Sequence, residues 1–189
     1  MGCAGSKGGH GPKLVKPAAK EGVTHCGPWL KHPDDLKDFP EFPEQYKQSS
    51  VCRFLSKEIW DEYKDQCDEK GVSFKQCVLS GCQNVDSGIG AYAGSHDSYR
   101  KFSKFFDRVV EDYHKHGPDA KHVSNMNASE LNCPPFPEDE AAMINSTRIR
   151  VGRNLADYAL GPGITNEQRI EIMTRVCKAF EAYEGDLAG

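Results

Sequence analysis

The stretch SFKQCVLSGCQNVDSGIGAYAGSHDS, residues 73–98, contains a helix, a glycine-rich turn and the start of a second helix. Ser73 with Gln76 three residues on is a capping-box pattern, and Phe74, Cys77 and Val78 give the helix an apolar face. The pattern ends near Asn84. Gly88, Gly90 and Gly94 then permit backbone turns that other residues resist. Two readings of this turn stay open. It is an ordinary helix connection, or it is a nest whose amide N–H groups converge on an anion. No Gly-Lys-Ser/Thr follows, so it is not a Walker loop, and it does not open the helix of a βαβ unit. A long helical pattern then runs from about Asp97 to His116. Its stripe is Tyr99, Phe102, Phe106, Val109, Val110 and Tyr113, and Gly117-Pro118 stops it.

Working outward, Ser56 caps an earlier helix that carries Ile59, Trp60, Tyr63 and Cys67 and runs to Gly71. Thr165 with Gln168 caps a last one, with Ile170, Met173, Val176, Cys177, Phe180 and Tyr183 at helical spacing. These stripes read as core packing. Residues 1–28 are rich in Gly, Pro, Lys and Ala and read as a flexible tail. Residues 30–117 make a helical domain, and 118–140, with NCPPFPEDE, a linker. Residues 141–189 hold one strand and one helix.

That strand is INSTRIRVGRN, residues 144–154. Alternation puts Arg148 and Arg150 on one face, with Thr147, Ile149 and Val151 on the other. Arginines blunt a solvated sheet edge; they also suit phosphate, because the planar, permanently charged fork meets two oxygens at once. A lone strand has no ladder partner. Residues 141–189 are therefore expected to be the opening of a second, larger domain that continues past residue 189; the alternative is that they pack back on the helices as an irregular extension.

Of the residues, 38% are hydrophobic, and the 18 glycines bring the apolar share near that of an ordinary globular chain. A net charge of −4 leaves no general electrostatic footprint for nucleic acid. No apolar run is long enough to span a membrane. The amino terminus lacks the apolar segment of a secretory signal. The eight cysteines form no Cys-x-x-Cys pair and no zinc spacing, and read as reduced thiols of a cytosolic protein. His114, His116 and His122 lie near one break without a cysteine or carboxylate at ligand spacing, so no metal site is expected.

The chain opens MGCAGSK. Gly2 with Ser6 fits the N-myristoylation pattern, and Cys3 stands where a palmitoyl chain is often added. One myristoyl chain holds a membrane only marginally. Cys3, or Lys7, Lys13, Lys16 and Lys20 against Glu21 alone, could supply the second attachment. Localisation is expected to be cytoplasmic, with membrane association through these acyl groups.

Two stretches together resemble the phosphagen (ATP:guanidino) kinase family. NVDSGIGAYA with the following SYRKFSKFFDRVVEDYH is similar to its substrate loop and next helix, and STRIRVGRN to its nucleotide-binding strand. The resemblance runs from about residue 45 to 188, and the loop is most like that of arginine kinases. Ile149 replaces the usual Val, and Gly94 stands where many arginine kinases have Pro. The family's later segments, with its catalytic carboxylates and further phosphate-binding arginines, are absent.

The resemblance implies a small all-α amino-terminal domain, followed by the start, one strand and one helix, of an α+β catalytic domain with an antiparallel sheet. It implies that Ser87, Gly88, Ile89 and Gly90 offer amides to the substrate carboxylate within the loop Asp86–Tyr92. Ala91 belongs to that loop, Tyr92 adds a hydroxyl, and Asp86 helps close it. Ser146, Thr147, Arg148, Ile149 and Arg150 would hold Mg-ATP, with the arginines on phosphate and the metal held through the nucleotide. The partners implied are ATP/ADP and L-arginine, or another guanidino compound such as creatine, taurocyamine or lombricine. The 189 residues alone are expected to lack activity because they lack the general base. The rival is a membrane-tethered, non-catalytic adaptor built on the same helical domain.

Overall fold

The structure is a computed structural model that describes residues 14–132 and 134–185. Gly2, Cys3 and Cys133 lie outside the described residues. Two short parallel strands, β1 (Val23–His25) and β2 (Phe39–Glu41), pair in register Val23↔Phe39. Helices α1 (Ser50–Phe54), α2 (Lys57–Tyr63) and α3 (Phe74–Gln83) follow. Then come α4 (His96–Lys101), α5 (Ser103–His114), α6 (Glu138–Ala141) and α7 (Asn166–Glu181).

Side-chain caps place five of these helix starts, among them Ser49 Oγ, which accepts from the Cys52 amide at 3.3 Å and caps α1. Ser56 Oγ accepts from the Ile59 amide at 3.3 Å. Ser73 and Gln76 close their capping box, as do Thr165 and Gln168, and Ser95 caps α4. Each such cap contributes about 1 kcal/mol. The core is aromatic at its centre. Phe102 lies 5.3 Å from Tyr63 and 5.1 Å from Phe74, and Phe74 meets Phe105 edge-on at 5.4 Å, centroid to centroid. Around them close Leu36, Val51, Trp60, Val78 and Cys82, all essentially inaccessible.

Several expectations need correction. The tail does not extend to residue 28: residues 23–25 form β1, and Cys26 is buried. A two-stranded parallel sheet, β1 with β2, stands in the amino-terminal region where only helices were expected. The expected helix from Asp97 to His116 is broken at Phe102, whose ψ of 34° lets its ring turn into the aromatic core. The helix begun at Ser56 stops at Tyr63, well before Gly71; Gln66 and Asp68 take the chain into a turn held by Gly71 at φ 75°. The linker region holds the short α6.

Residues 145–154 form no strand, because no ladder partner lies beside them, and Arg148 and Arg150 are exposed. The α7 stripe is not core: Ile170, Met173 and Phe180 are each about 60% exposed. Residues 158–164 do pack back on the domain. Tyr158 is buried, and the Leu160 amide donates to the Gly94 carbonyl at 2.7 Å.

Candidate functional site

The loop from Asn84 to Ser95 is held by its carbonyls. The first amides of α1, on Ser50 and Val51, donate to the carbonyls of Gly88 and Ile89 at 2.9 and 3.0 Å. A helix start has amides without intrahelical partners, and here two of them fix the loop. The Gly81 amide, inside α3, donates to the Gly90 carbonyl at 2.8 Å. With three successive carbonyls drawn inward, the amides of Gly88, Ile89 and Gly90 find no hydrogen-bond partner among the described residues. An anion facing them would meet a ready-made nest.

Two glycines make that geometry possible. Gly90 has φ 72°, and a Cβ there would lie 2.7 Å from the Gly81 Cα. A Cβ on Gly81 would lie 2.6 Å from the Gly90 carbonyl oxygen. The two backbones are in contact, and neither position has room for a side chain. Gly88 differs: its φ lies outside the left-handed region, and the space beside it is open.

The far end of the loop is fixed by a buried carboxylate. Asp68, 7% exposed, accepts from Ser98 Oγ at 2.6 Å and from the Lys70 and Val72 amides at 2.9 Å. Ser98 Oγ in turn accepts from the Gly94 and Ser95 amides. Burial pushes the Asp68 carboxyl upward, but the hydrogen bonds from Ser98, Val72, Ser95 and Lys70 outweigh it and hold it below its ordinary value. Gly94 is closely packed. A Cβ on it would lie 2.4 Å from Val72 Cγ1.

Beside the loop lies a groove of about 930 Å³. Ile89, Ala91 and Tyr92 form one wall, Tyr99, Phe106 and Tyr113 another, and Asn154 with Leu160–Pro162 closes the carboxyl side. The Tyr92 side chain is 53% exposed at this groove. The end of the arginine stretch therefore reaches the loop's surroundings, while Arg148 and Arg150 themselves stand in solvent.

Of the loop residues singled out from the sequence, Gly88, Ile89 and Gly90 are held by their carbonyls and have amides without a hydrogen-bond partner among the described residues. Ser87 is not part of that set, since its amide donates to the Asn84 carbonyl at 2.9 Å. Asp86 is exposed, and Ala91 is buried. Ser146–Arg150 are not assembled with the loop. Sequence reasoning missed Gly81 and Asp68. Gly81 carried a signal, because a glycine inside a helix of good formers asks for a packing reason; Asp68 carried none.

Residues 45–111 match the ATP:guanido phosphotransferase N-terminal domain. Residues 45–111 belong to the ATP:guanido phosphotransferase family. It is 41% identical over 153 residues to an arginine kinase of Anthopleura japonica, covering 80% of this chain and 21% of that one. It is 32% identical over 142 residues to arginine kinase Lit v 2.0101 of Penaeus vannamei, covering 75% of this chain and 40% of that one. Among solved structures, the substrate-free duplicated taurocyamine kinase of Schistosoma mansoni superposes with TM-score 0.64 at 27% identity, over 76% of this chain and 20% of that one. A lombricine kinase shares the fold with TM-score 0.63 at 23% identity, over 84% of this chain and 42% of that one. The chain thus spans between a fifth and two fifths of these ATP:guanido phosphotransferases.

Proposed function

We propose that this chain supplies the guanidino-substrate side of a phosphagen kinase, one that transfers the γ-phosphoryl group of Mg-ATP reversibly to the guanidino group of L-arginine. The observation that supports this reading is the set of amides at Gly88, Ile89 and Gly90 that have no hydrogen-bond partner among the described residues. They would hold the α-carboxylate of the substrate, each charge-assisted bond contributing about 1.5–3 kcal/mol. Tyr92, on the groove wall, would touch the amino-acid part, and Asp86, exposed at the loop's tip, would meet a second domain as the site closes.

Arg148 and Arg150 would neutralise the nucleotide phosphates within Ser146–Arg150. Phosphoryl transfer through a loose transition state needs alignment and charge neutralisation more than covalent help. Mg²⁺ would arrive with the nucleotide. An antiparallel sheet beginning in residues 141–189 would give the arginine stretch its ladder partner and put both guanidinium groups on one face. The carboxylate that takes the guanidinium proton is assigned to segments outside these residues, so the 189 residues alone should not turn over. The relatives named for taurocyamine and lombricine fit the same nest, which accepts any anionic tail; loop position would then select by distance. Acylation at Gly2 and Cys3, and membrane attachment through it, belong to this proposal on sequence pattern alone.

The test is an amide-resolved NMR titration with L-arginine against agmatine, which carries the guanidinium without the carboxylate. Arginine should move the Gly88, Ile89 and Gly90 amides with a Kd on the order of millimolar, and agmatine should leave them in place. Equal responses to both would remove the carboxylate reading and favour a non-catalytic adaptor.

A further inference from the structure

Two thiols outside the substrate loop are built against each other. Cys26 follows β1, and its amide donates to the Glu41 carbonyl at 2.9 Å, extending the parallel ladder by one bond. The next amide, on Gly27, donates to the Cys82 carbonyl at 2.8 Å. Covalent geometry then limits the separation of the Cys26 and Cys82 Cα atoms to about 7–8 Å at most, and disulfides span roughly 4.4–6.8 Å. Both side chains are shut from water, at 1% and 0% exposure. The neighbouring Cys82 thiol first, and burial second, push the Cys26 thiol far above its ordinary range. The described cysteines are all free thiols.

We propose that Cys26 and Cys82 are a reversible disulfide site that clips the amino-terminal strand to the helix carrying the substrate loop. Peroxide is the oxidant class. A thiolate on Cys26 attacks one peroxide oxygen, the O–O bond breaks, and a sulfenic acid and one water form. The Cys82 thiol then displaces the sulfenic hydroxyl as a second water, closing the S–S bond. The two thiols lose two protons and two electrons in all, which peroxide receives. A small-molecule dithiol reverses the change by exchange.

Burial keeps the resting pair protonated and slow to react. Access requires the strand to open. A two-stranded sheet of three-residue strands is a weak unit, so Cys26 is the thiol that emerges and Cys82 the one that resolves. Cys82 adjoins Gly81, whose amide holds the Gly90 carbonyl. The bond would thus fix the strand to the element that shapes the loop. This inference is independent of which guanidino compound the loop receives.

The experiment uses the whole 189-residue chain, treated with hydrogen peroxide and then alkylated. Non-reducing peptide mapping should find Cys26 joined to Cys82, with the loss of two hydrogens in intact mass. Thermal unfolding should rise by on the order of 10 °C, because the bond closes a long loop, and dithiothreitol should reverse the rise. Cys82→Ala and Cys26→Ser should each abolish both signals. Three results would overturn the proposal: both cysteines still alkylatable after peroxide, either one joined instead to Cys52 or Cys67, or a linkage that lowers the unfolding temperature. Peptide mapping of unfolded peroxide-treated chain is the control in case a variant fails to fold.

Discussion

Replacing Gly90 with alanine tests the loop geometry most directly. At φ 72° a Cβ costs about 1–2 kcal/mol from backbone strain alone. The same Cβ would sit 2.7 Å from the Gly81 Cα and 3.0 Å from Val51 Cγ1, and such overpacking costs about 1–3 kcal/mol. The sum is roughly 2–5 kcal/mol, a fall in Tm of roughly 4–20 °C for a chain of this size. Gly88→Ala meets neither problem and should stay within about 0.5 kcal/mol. Urea denaturation of both variants measures the contrast. Gly81→Ala should resemble Gly90→Ala, since its Cβ would lie 2.6 Å from both the Gly90 oxygen and Val51 Cγ1. The double variant should lose less than the two losses added, because one displacement relieves both contacts. A loss below about 1 kcal/mol for Gly90→Ala, or a larger one for Gly88→Ala, would refute the account of which glycine the backbone requires.

Asp68 makes stability depend on acid. Its folded pKa is depressed, so the stabilisation is present above the ordinary value near 3.8 and is lost as pH falls through the lower folded value. Asp68→Asn should remove that acid-limb loss in denaturation curves taken from pH 6 downward in roughly half-unit steps; an unchanged limb would assign it to other carboxylates. In active enzyme, Arg150→Ala should lose about 10²–10³ in kcat/KM, and Arg148→Lys should also be impaired because the bidentate fork is gone. Unchanged rates for both would return these arginines to a solvated role. Gly2→Ala should release the protein from membranes without altering arginine binding, and intact mass from the native cell showing an unmodified Gly2 would sink the acylation reading.

Local chemistry was legible where a side chain bonds its own neighbourhood. Ser56, Ser73 with Gln76, and Thr165 with Gln168 each mark the helix start that the backbone adopts. The turn at Gly88–Gly90 was legible as a candidate nest, though not which amides lack a partner among the described residues, because that depends on Ser50 and Val51 forty residues away in sequence. α1 escaped notice, since five residues show too little periodicity. The break at Phe102 was hidden by a continuous stripe; three aromatic rings meeting across the core outweighed one turn of helix. The opposite failure occurred at α7, where Ile170, Met173 and Phe180 keep a core-like spacing yet stand in solvent. Periodicity reports that a face wants a partner, and only the folded chain says whether one is there.

The parallel strands alter what counts as the folding unit. The match to the family domain begins at residue 45, but Cys26, Leu30, Leu36 and Phe42 are already in the core, at 1%, 4%, 0% and 7% exposure. The Leu30 carbonyl accepts from Gln83 Nε2 at 2.8 Å, binding this segment to α3. A fully buried aliphatic or aromatic side chain contributes about 1.5–3 kcal/mol, and an ordinary domain has only about 5–15 kcal/mol in total. A chain begun at residue 45 would uncover α3 at Cys82 and Gln83 and expose the interior it kept. The matched family domain and the body that stands up thus have different edges, and here the second reaches some twenty residues further toward the amino terminus.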